Sequence, residues 1–434
     1  MRDTVPIGFE SVSMIVKFYT IGCKVNQYDT QEIRERFLEA GFIEAKAKQI
    51  ADIYVVNTCT VTAKADKDSI YYIHRSHHEN PKGKIIVTGC LAELERKKIK
   101  AQPGVSLVIP NSDKVKIVSR LIMNRRKPKR GISFFSGHTR VFMKIQDGCN
   151  NSCSYCRVPL VRGSSRSRPL PDIIREAQSL AEKGFKEIVL TGICLGSYGK
   201  DLEPKRSLCD VITSLEGVDG LLRIRLSSIE AGDVSGELID KMAGSSKLCR
   251  HLHIPIQSGD NEILRKMRRK YSREDYLDLV KKIKKRVPQV AITTDVLVGF
   301  PGEEEENFRN TIDLVKKIVP LRTHIFPFSP RPGTVAYDCS PKAPDLAVKE
   351  RVGRLRIVSE QCSLSYRKRF LGKKLPVLIE GRWPEDEAFW EGHTDTYLKV
   401  LVKSRQNLKN RLVSVRLKSL TEKGDVSILT VDTF

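Results

Sequence analysis

Cys149, Cys153 and Cys156 stand in a C-x3-C-x2-C spacing within the stretch Gly148–Arg168. Three thiolates this close on one loop can hold three irons of a cubane [4Fe-4S] cluster and leave the fourth iron open to another ligand. A closed structural zinc site takes four protein ligands, often as two separated pairs. The residues around the trio are rich in Gly, Ser and Arg, so the open iron stands beside a basic loop. The spacing points to a reactive iron–sulfur centre, with a zinc knuckle as the competing reading.

Three further cysteines, distant in sequence, share one local setting. Strand-like runs at 14–20, 53–57 and 84–88 alternate with helical stretches, which predicts a small parallel α/β domain. Cys23, Cys59 and Cys90 each lie just past the carboxyl end of one of those strands. In an open parallel sheet such ends share one rim, where ligands bind. The three thiols are therefore expected to converge as a second three-cysteine site. The competing reading is three buried core thiols. Cys209, Cys249, Cys339 and Cys362 have no partner spacing and read as core thiols.

A chain of 434 residues has room for two to four domains that position these sites. Met1 to Ser13 lack the basic start and apolar block of a secretory signal. No apolar run approaches a membrane-spanning length, so no membrane partner is expected. Eleven cysteines, an odd number, without a signal argue for reduced thiols in the cytoplasm and against a disulfide scaffold. The net charge of +24 is spread along the chain. Such a surface attracts polyanions, nucleic acid first, and a merely solubilising lysine-rich surface is the alternative.

The expected organisation is α/β: an N-terminal small parallel domain over 14–123, a basic linker over 124–134, a barrel over 135–366 and a small β-barrel over 367–434. Helices are expected at 31–40 and 91–100 in the first domain. Six strand–helix units, from Arg140–Gln146 to Thr323–Phe328, predict a partial (β/α)6 barrel. The cysteine loop and the loops at Thr191-Gly192, Ser227–Glu230, Gln257–Gly259 and Val298–Gly302 then fall on its carboxyl face, where barrel chemistry sits. The last short strands, ending at Ser427–Val431, predict a basic β-barrel of the kind that grips RNA.

Cys149-Asn-Asn-Ser-Cys153-Ser-Tyr155-Cys156 resembles the radical S-adenosylmethionine (SAM) signature. The domain order resembles the radical-SAM methylthiotransferases, whose third domain is a TRAM-like barrel. The resemblance runs from about Ile15 to Phe434. It is carried by Gly22-Cys-Lys-Val-Asn-Gln-Tyr-Asp29, Val56-Asn-Thr-Cys-Thr60, Gly89-Cys90, His253-Ile-Pro-Ile-Gln-Ser-Gly259 and Thr294-Asp-Val-Leu-Val-Gly-Phe-Pro-Gly302. Within the family, the first of these and Leu190-Thr-Gly-Ile resemble the branch acting on N6-threonylcarbamoyladenosine in tRNA. The isopentenyladenosine branch has a Cys-Gln-Met-Asn type of sequence there. The branch acting on a ribosomal-protein aspartate is expected to carry an acidic third domain, unlike the basic one here. The chain departs from the pattern at Cys194, where His or Asn is expected, and at Leu160-Val161, where Tyr-Ala is usual.

The resemblance implies two [4Fe-4S] clusters, on Cys149, Cys153 and Cys156 and on Cys23, Cys59 and Cys90. It implies two molecules of SAM per turnover, one cleaved to a radical that attacks carbon 2 of the adenine and one donating the methyl group. The second cluster carries the sulfur. Implied SAM contacts are Tyr155, Thr191, Gly192, Ser227, Glu230, Gln257, Val298 and Gly299, each with a loop cap or turn residue as the alternative. Arg162, Arg166 and Arg168 are candidates for phosphate or the SAM carboxylate, with a solvated turn as the alternative. Implied partners are the tRNA anticodon loop, an electron donor such as flavodoxin or ferredoxin, and a sulfur source. A metal-stabilised RNA-binding protein without catalysis is the rival from another class.

Overall fold

The computed structural model describes residues 14–121, 131–135, 139–420 and 427–429. Residues 1–13, the basic run 124–130 and residues 430–431 of the last expected strand lie outside the described residues. The first domain is a parallel sheet ordered β2-β1-β3-β4-β5, with β1 at Ile15–Thr20, β2 at Ile43–Glu44, β3 at Ile53–Thr58, β4 at Lys84–Gly89 and β5 at Val105–Val108. The central strand β3 is buried along its whole length, as a strand covered on both faces must be. Helix α1 (Lys24–Glu39) begins right after Cys23, seven residues before the expected start. Helix α2 (Ala63–Glu79) begins where the Thr62 hydroxyl accepts from Ala65 N. The helix expected over 91–100 is two short helices, Cys90–Leu94 and Arg96–Lys100, because Glu95 leaves the helical region at φ −115°, ψ 41°.

Six parallel strands form the open barrel as two sheets of three. One holds β6 (Arg140–Lys144), Glu187–Thr191 and Arg223–Leu226, and the other His251–His253, Ala291–Val298 and Arg322–Pro327. Single bridges Ile224–Leu248 and Ser228–His253 join them. One face of each strand packs on the helices: Val141, Met143, Ile188, Leu190, Ile224 and Leu226 are in the main core. The other face is polar, with Arg140, Glu187, Arg225, His253 and Asp295 at alternate positions.

A 24-residue helix, Asp345–Lys368, follows the last barrel strand. It spans the boundary expected at 366/367. Its buried residues Leu355, Val358, Cys362 and Tyr366 recur at helical spacing, but charged residues interrupt the stripe and hid it in the sequence. The C-terminal sheet has six strands, mostly antiparallel, and curls into a half-barrel. It closes the amino end of the barrel. Arg223 donates to His393 O and Pro376 O, both at 2.8 Å, and Arg225 to Thr394 O and Asp395 O, both at 3.0 Å. Among the described residues, no helix is long and apolar enough to cross a membrane.

Candidate active site

Strand β6 leads into the loop that carries Cys149, Cys153 and Cys156. Gly148 turns it at φ +74°, and a Cβ there would lie 2.0 Å from Ser164 O, so only glycine fits. Cys149 N donates to Gly163 O at 3.0 Å, and Ser154 is pinned through its hydroxyl to Lys266 O at 2.8 Å. Each of the three sulfurs then accepts a hydrogen bond. Asn151 N donates to Cys149 Sγ at 3.4 Å, the Arg269 guanidinium to Cys153 Sγ at 3.2 Å, and Val158 N to Cys156 Sγ at 3.4 Å. Such donors stabilise thiolate ligands and set the potential of a cluster held on them.

The thiols are not equivalent. A hydrogen bond from the Cys194 thiol, with help from Asn151 N, brings Cys149 down to about 6. Burial pushes Cys156 up to about 12 and raises Cys153, although Arg269 opposes the rise at Cys153. Beside the loop lies a pocket of about 490 Å³ lined by Asn151, Cys153, Ser197, Glu230, Arg269 and Tyr271, among others. Glu230 is ion-paired to Arg269. The pocket therefore presents fixed charges of both signs next to a cysteine sulfur. That is what a zwitterionic ligand with a polar ribose needs.

The second trio sits on the carboxyl rim of the N-terminal sheet. Cys23 is exposed at the start of α1, while Cys59 and Cys90 are buried at the ends of β3 and β4. Gly22 approaches at φ +102°, and a Cβ there would lie 2.7 Å from Cys59 Sγ. Burial pushes Cys59 up to about 12, and the negative fields of Cys90 and Cys23 add to the rise. The three thiols are therefore electrostatic neighbours. A single zinc on thiolates at about 2.3 Å needs sulfurs about 3.8 Å apart. Among the described residues, no three cysteine sulfurs lie within 4.8 Å of one another. At the first site the amide and guanidinium donors to sulfur fit an iron–sulfur cluster; at the second, Asn111 Nδ2 lies 3.9 Å from Cys90 Sγ.

Buried charges join the two sites. Arg162 ends the short helix after Cys156 and is ion-paired to Asp147 at 2.8 Å and to Asp29 of α1 at 3.4 Å. Asp29 also takes Lys114 at 2.6 Å and Lys144. Arg168 pairs with Glu176 at 2.6 Å and donates to the Tyr28 hydroxyl at 3.0 Å. Arg162 and Arg168, weighed in the sequence as anion-binding or solvated, thus tie α1 to the barrel. Arg166 is exposed and donates to Ser164 O and Arg162 O. Arg157 and Arg331 both reach Thr60 Oγ1, next to Cys59.

The other expected SAM contacts are dispersed around the rim. Tyr155 packs edge-on to Phe300 at 6.5 Å. Thr191 is buried and donates to Val189 O within its own strand. A Cβ on Gly192 would lie 2.9 Å from Gln146 Oε1. The Ser227 hydroxyl is buried and has no hydrogen-bond partner among the described residues. Gln257 holds φ +63° and pairs its backbone with Asp295 and Leu297. Val298 is buried, and Gly299 lines a different pocket, against Val348 and Phe328. Cys209, Cys249 and Cys362 are buried, but Cys339 is half-buried and donates to Val335 O. Arg269 has no motif role in the sequence, and only its proximity to the cysteine loop reveals it. Cys194 stands out in the sequence only as a departure from the family pattern, and the structure puts it against that loop.

Residues 143–315 match the radical SAM superfamily, and residues 15–110 match the family described as uncharacterized protein family UPF0004. The chain is similar to the threonylcarbamoyladenosine tRNA methylthiotransferase MtaB of Bacillus subtilis (strain 168). Identity is 40% over 93% of each chain. The protein of that name from Thermotoga maritima is 38% identical over 95% of this chain and 96% of its own. The tRNA-2-methylthio-N(6)-dimethylallyladenosine synthase of Clostridium tetani is 35% identical over 92% of each chain. Among solved structures, the radical SAM methyltransferase TsrM from Kitasatospora setae shares the fold. Its TM-score is 0.54 at 15% identity, covering 75% of this chain and 77% of that one. With two three-cysteine sites on the two matched domains and full-length relatives above 30% identity, the chain belongs to the radical-SAM methylthiotransferase family.

Proposed function

We propose that the protein converts N6-threonylcarbamoyladenosine at position 37 of tRNA, next to the anticodon, to its 2-methylthio derivative in the cytoplasm. The observation that carries this reading is the buried bridge through Arg162. It ties α1, which starts after Cys23, to the loop that carries Cys149, Cys153 and Cys156. When bound, one [4Fe-4S] cluster and SAM supply hydrogen abstraction from an unactivated carbon, and the other cluster supplies sulfur. Cys149, Cys153 and Cys156 would hold the first cluster and Cys23, Cys59 and Cys90 the second.

The remaining roles belong to the chain itself. Arg269 and the amides of Asn151 and Val158 hold the sulfurs of the first site in place. Glu230 keeps Arg269 oriented toward Cys153 and faces the pocket, where it is the candidate acceptor for the ribose hydroxyls of SAM. The unpartnered Ser227 hydroxyl is a second candidate. The net charge of +24 suits an RNA substrate. An electron donor such as flavodoxin or ferredoxin and a sulfur source complete the partners.

The relatives named as dimethylallyladenosine synthases favour that base as the second reading. A competition assay separates the two. The anaerobically reconstituted protein, with SAM and reductant, receives equal amounts of tRNA bearing each modified base. Conversion of the threonylcarbamoyl base alone, or at least tenfold faster, is expected. Preferential conversion of the dimethylallyl base overturns the substrate assignment and leaves the family unchanged.

A further inference from the structure

Three neighbouring barrel strands, His251–His253, Ala291–Val298 and Arg322–Pro327, carry side chains on the polar inner face that the cluster chemistry does not use. His253 pairs in register with Thr293. Asp295, two residues on and therefore on the same face, pairs in register with His324. One ligand atom from each of His253, Asp295 and His324 lies within 4.8 Å of the other two. The ring centres of the two histidines are 5.6 Å apart. Among the described residues, no other three histidine, cysteine or carboxylate side chains come this close together.

The spacing inside the group suits a shared cation. His253 Nε2 lies 3.2 Å from Asp295 Oδ1. A direct charge-assisted hydrogen bond closes to about 2.7–2.9 Å. Two ligands on one tetrahedral zinc, each at about 2.0–2.1 Å from the metal, stand about 3.3–3.4 Å apart. The other nitrogen of His253 is braced from behind. Its Nδ1 is 2.9 Å from Thr293 Oγ1, which is also 2.9 Å from His251 Nε2. The hydroxyl has one proton to give. With that proton given to His251, His253 donates from Nδ1 and turns the lone pair of Nε2 toward Asp295. A metal-bound imidazole is held in this way, by a hydrogen-bond partner on its far nitrogen.

The arginines of the same face do not compete for Asp295. Arg225 is ion-paired to Glu187 at 2.7 Å, and Arg140 to Glu380 at 3.1 Å. Two imidazoles and one carboxylate suit a borderline divalent ion such as zinc. Calcium and magnesium want a shell of oxygens instead.

We propose that His253, Asp295 and His324 bind one zinc ion inside the barrel, without a cysteine ligand. Three protein ligands leave a fourth position for water or for an oxygen of the bound substrate. Thr293 is the positioning residue that fixes the tautomer of His253.

The test loads zinc onto holoenzyme that already carries its iron–sulfur clusters, then reads metal content and zinc X-ray absorption after desalting. Wild type is expected to keep about one zinc per chain with its iron unchanged, bound by nitrogen and oxygen at about 2.0–2.1 Å. His324→Ala and Asp295→Asn should each lose most of that zinc and keep the iron of the wild type, which reports that the chain is folded. Thr293→Val, which removes the hydroxyl behind His253, should bind zinc roughly tenfold more weakly. No zinc retained by the wild type, zinc ligated by sulfur at about 2.3 Å, or zinc undiminished in all three variants overturns the site. None of these outcomes bears on the substrate base, which the competition between the two modified tRNAs decides.

Discussion

Arg162 Nη1 lies 2.8 Å from Asp147 Oδ1, two residues before Cys149, and the same buried guanidinium reaches Asp29 on the helix that starts after Cys23. With Lys144, which also pairs with Asp29, this side chain ties α1 to the barrel beside the cysteine loop. Burial alone would raise the Asp29 carboxyl, but Lys114, Lys144 and Arg162 hold it well below the usual carboxylate range. Arg162→Met takes the closest partner from Asp147, which keeps Lys144 at 3.5 Å, while Asp29 keeps Lys114 and Lys144. A loss of about 2–3 kcal/mol in apoprotein stability is expected, read by urea unfolding. Iron retention should fall at both sites. A variant within about 0.5 kcal/mol of wild type would remove Arg162 from this role.

Glu187 gives the acid limit. Burial raises its pKa, yet Arg225, Arg140 and Arg223 outweigh this and bring it to about 2. The unfolded value is about 4.3. The folded pKa is depressed, so the stabilisation is present above pH ~4.3 and is lost as pH falls through ~2, amounting to roughly 3 kcal/mol. Stability of the wild type should drop across that window. Glu187→Gln should be less stable at neutral pH and flatter between pH 5 and 2, as followed by unfolding at fixed urea.

The glycines before the cysteines predict site-selective damage. An alanine at Gly22 meets Cys59 Sγ, and one at Gly148 meets Ser164 O, each at a positive φ. Gly22→Ala should lose the second cluster and keep the first, with iron falling from about eight to about four per chain and SAM cleavage retained. Gly148→Ala should do the reverse. Simultaneous loss of both clusters in either variant would mean that the loops do not fold independently.

Cys194 departs from the family pattern and lies against Cys149. In the apoprotein, alkylation of Cys149 by iodoacetamide should follow a midpoint near 6. Cys194→Ala removes the donor, so the midpoint should move up by at least one unit, toward the free-thiol value. An unmoved midpoint would assign the shift to Asn151 alone.

Much of this was legible as pattern. The C-x3-C-x2-C spacing and the glycine or threonine before each distant cysteine are local signals, and parallel-sheet topology carries Cys23, Cys59 and Cys90 to one rim. Partners of buried charge were not legible. Arg162 and Arg168 read as loop arginines because nothing in the chain marks Asp29 or Glu176 as their partners. Cys339 read as core for the same reason, since burial is a property of the packing. Helix Asp345–Lys368 was missed because charges punctuate its apolar stripe. Alternation of His251 and His253 with Leu252 and Ile254 was the available signal for a polar barrel interior.

The proposed reaction divides the labour between the two cysteine sites. The direct measurement incubates reconstituted wild type, Cys149→Ala and Cys23→Ala with threonylcarbamoyl-modified tRNA, SAM and reductant. Mass spectrometry then reads both 5′-deoxyadenosine and the modified nucleoside. Wild type should yield both products, Cys149→Ala neither, and Cys23→Ala 5′-deoxyadenosine without the methylthio nucleoside. Methylthio product from Cys23→Ala, or none from wild type carrying both clusters, would contradict it.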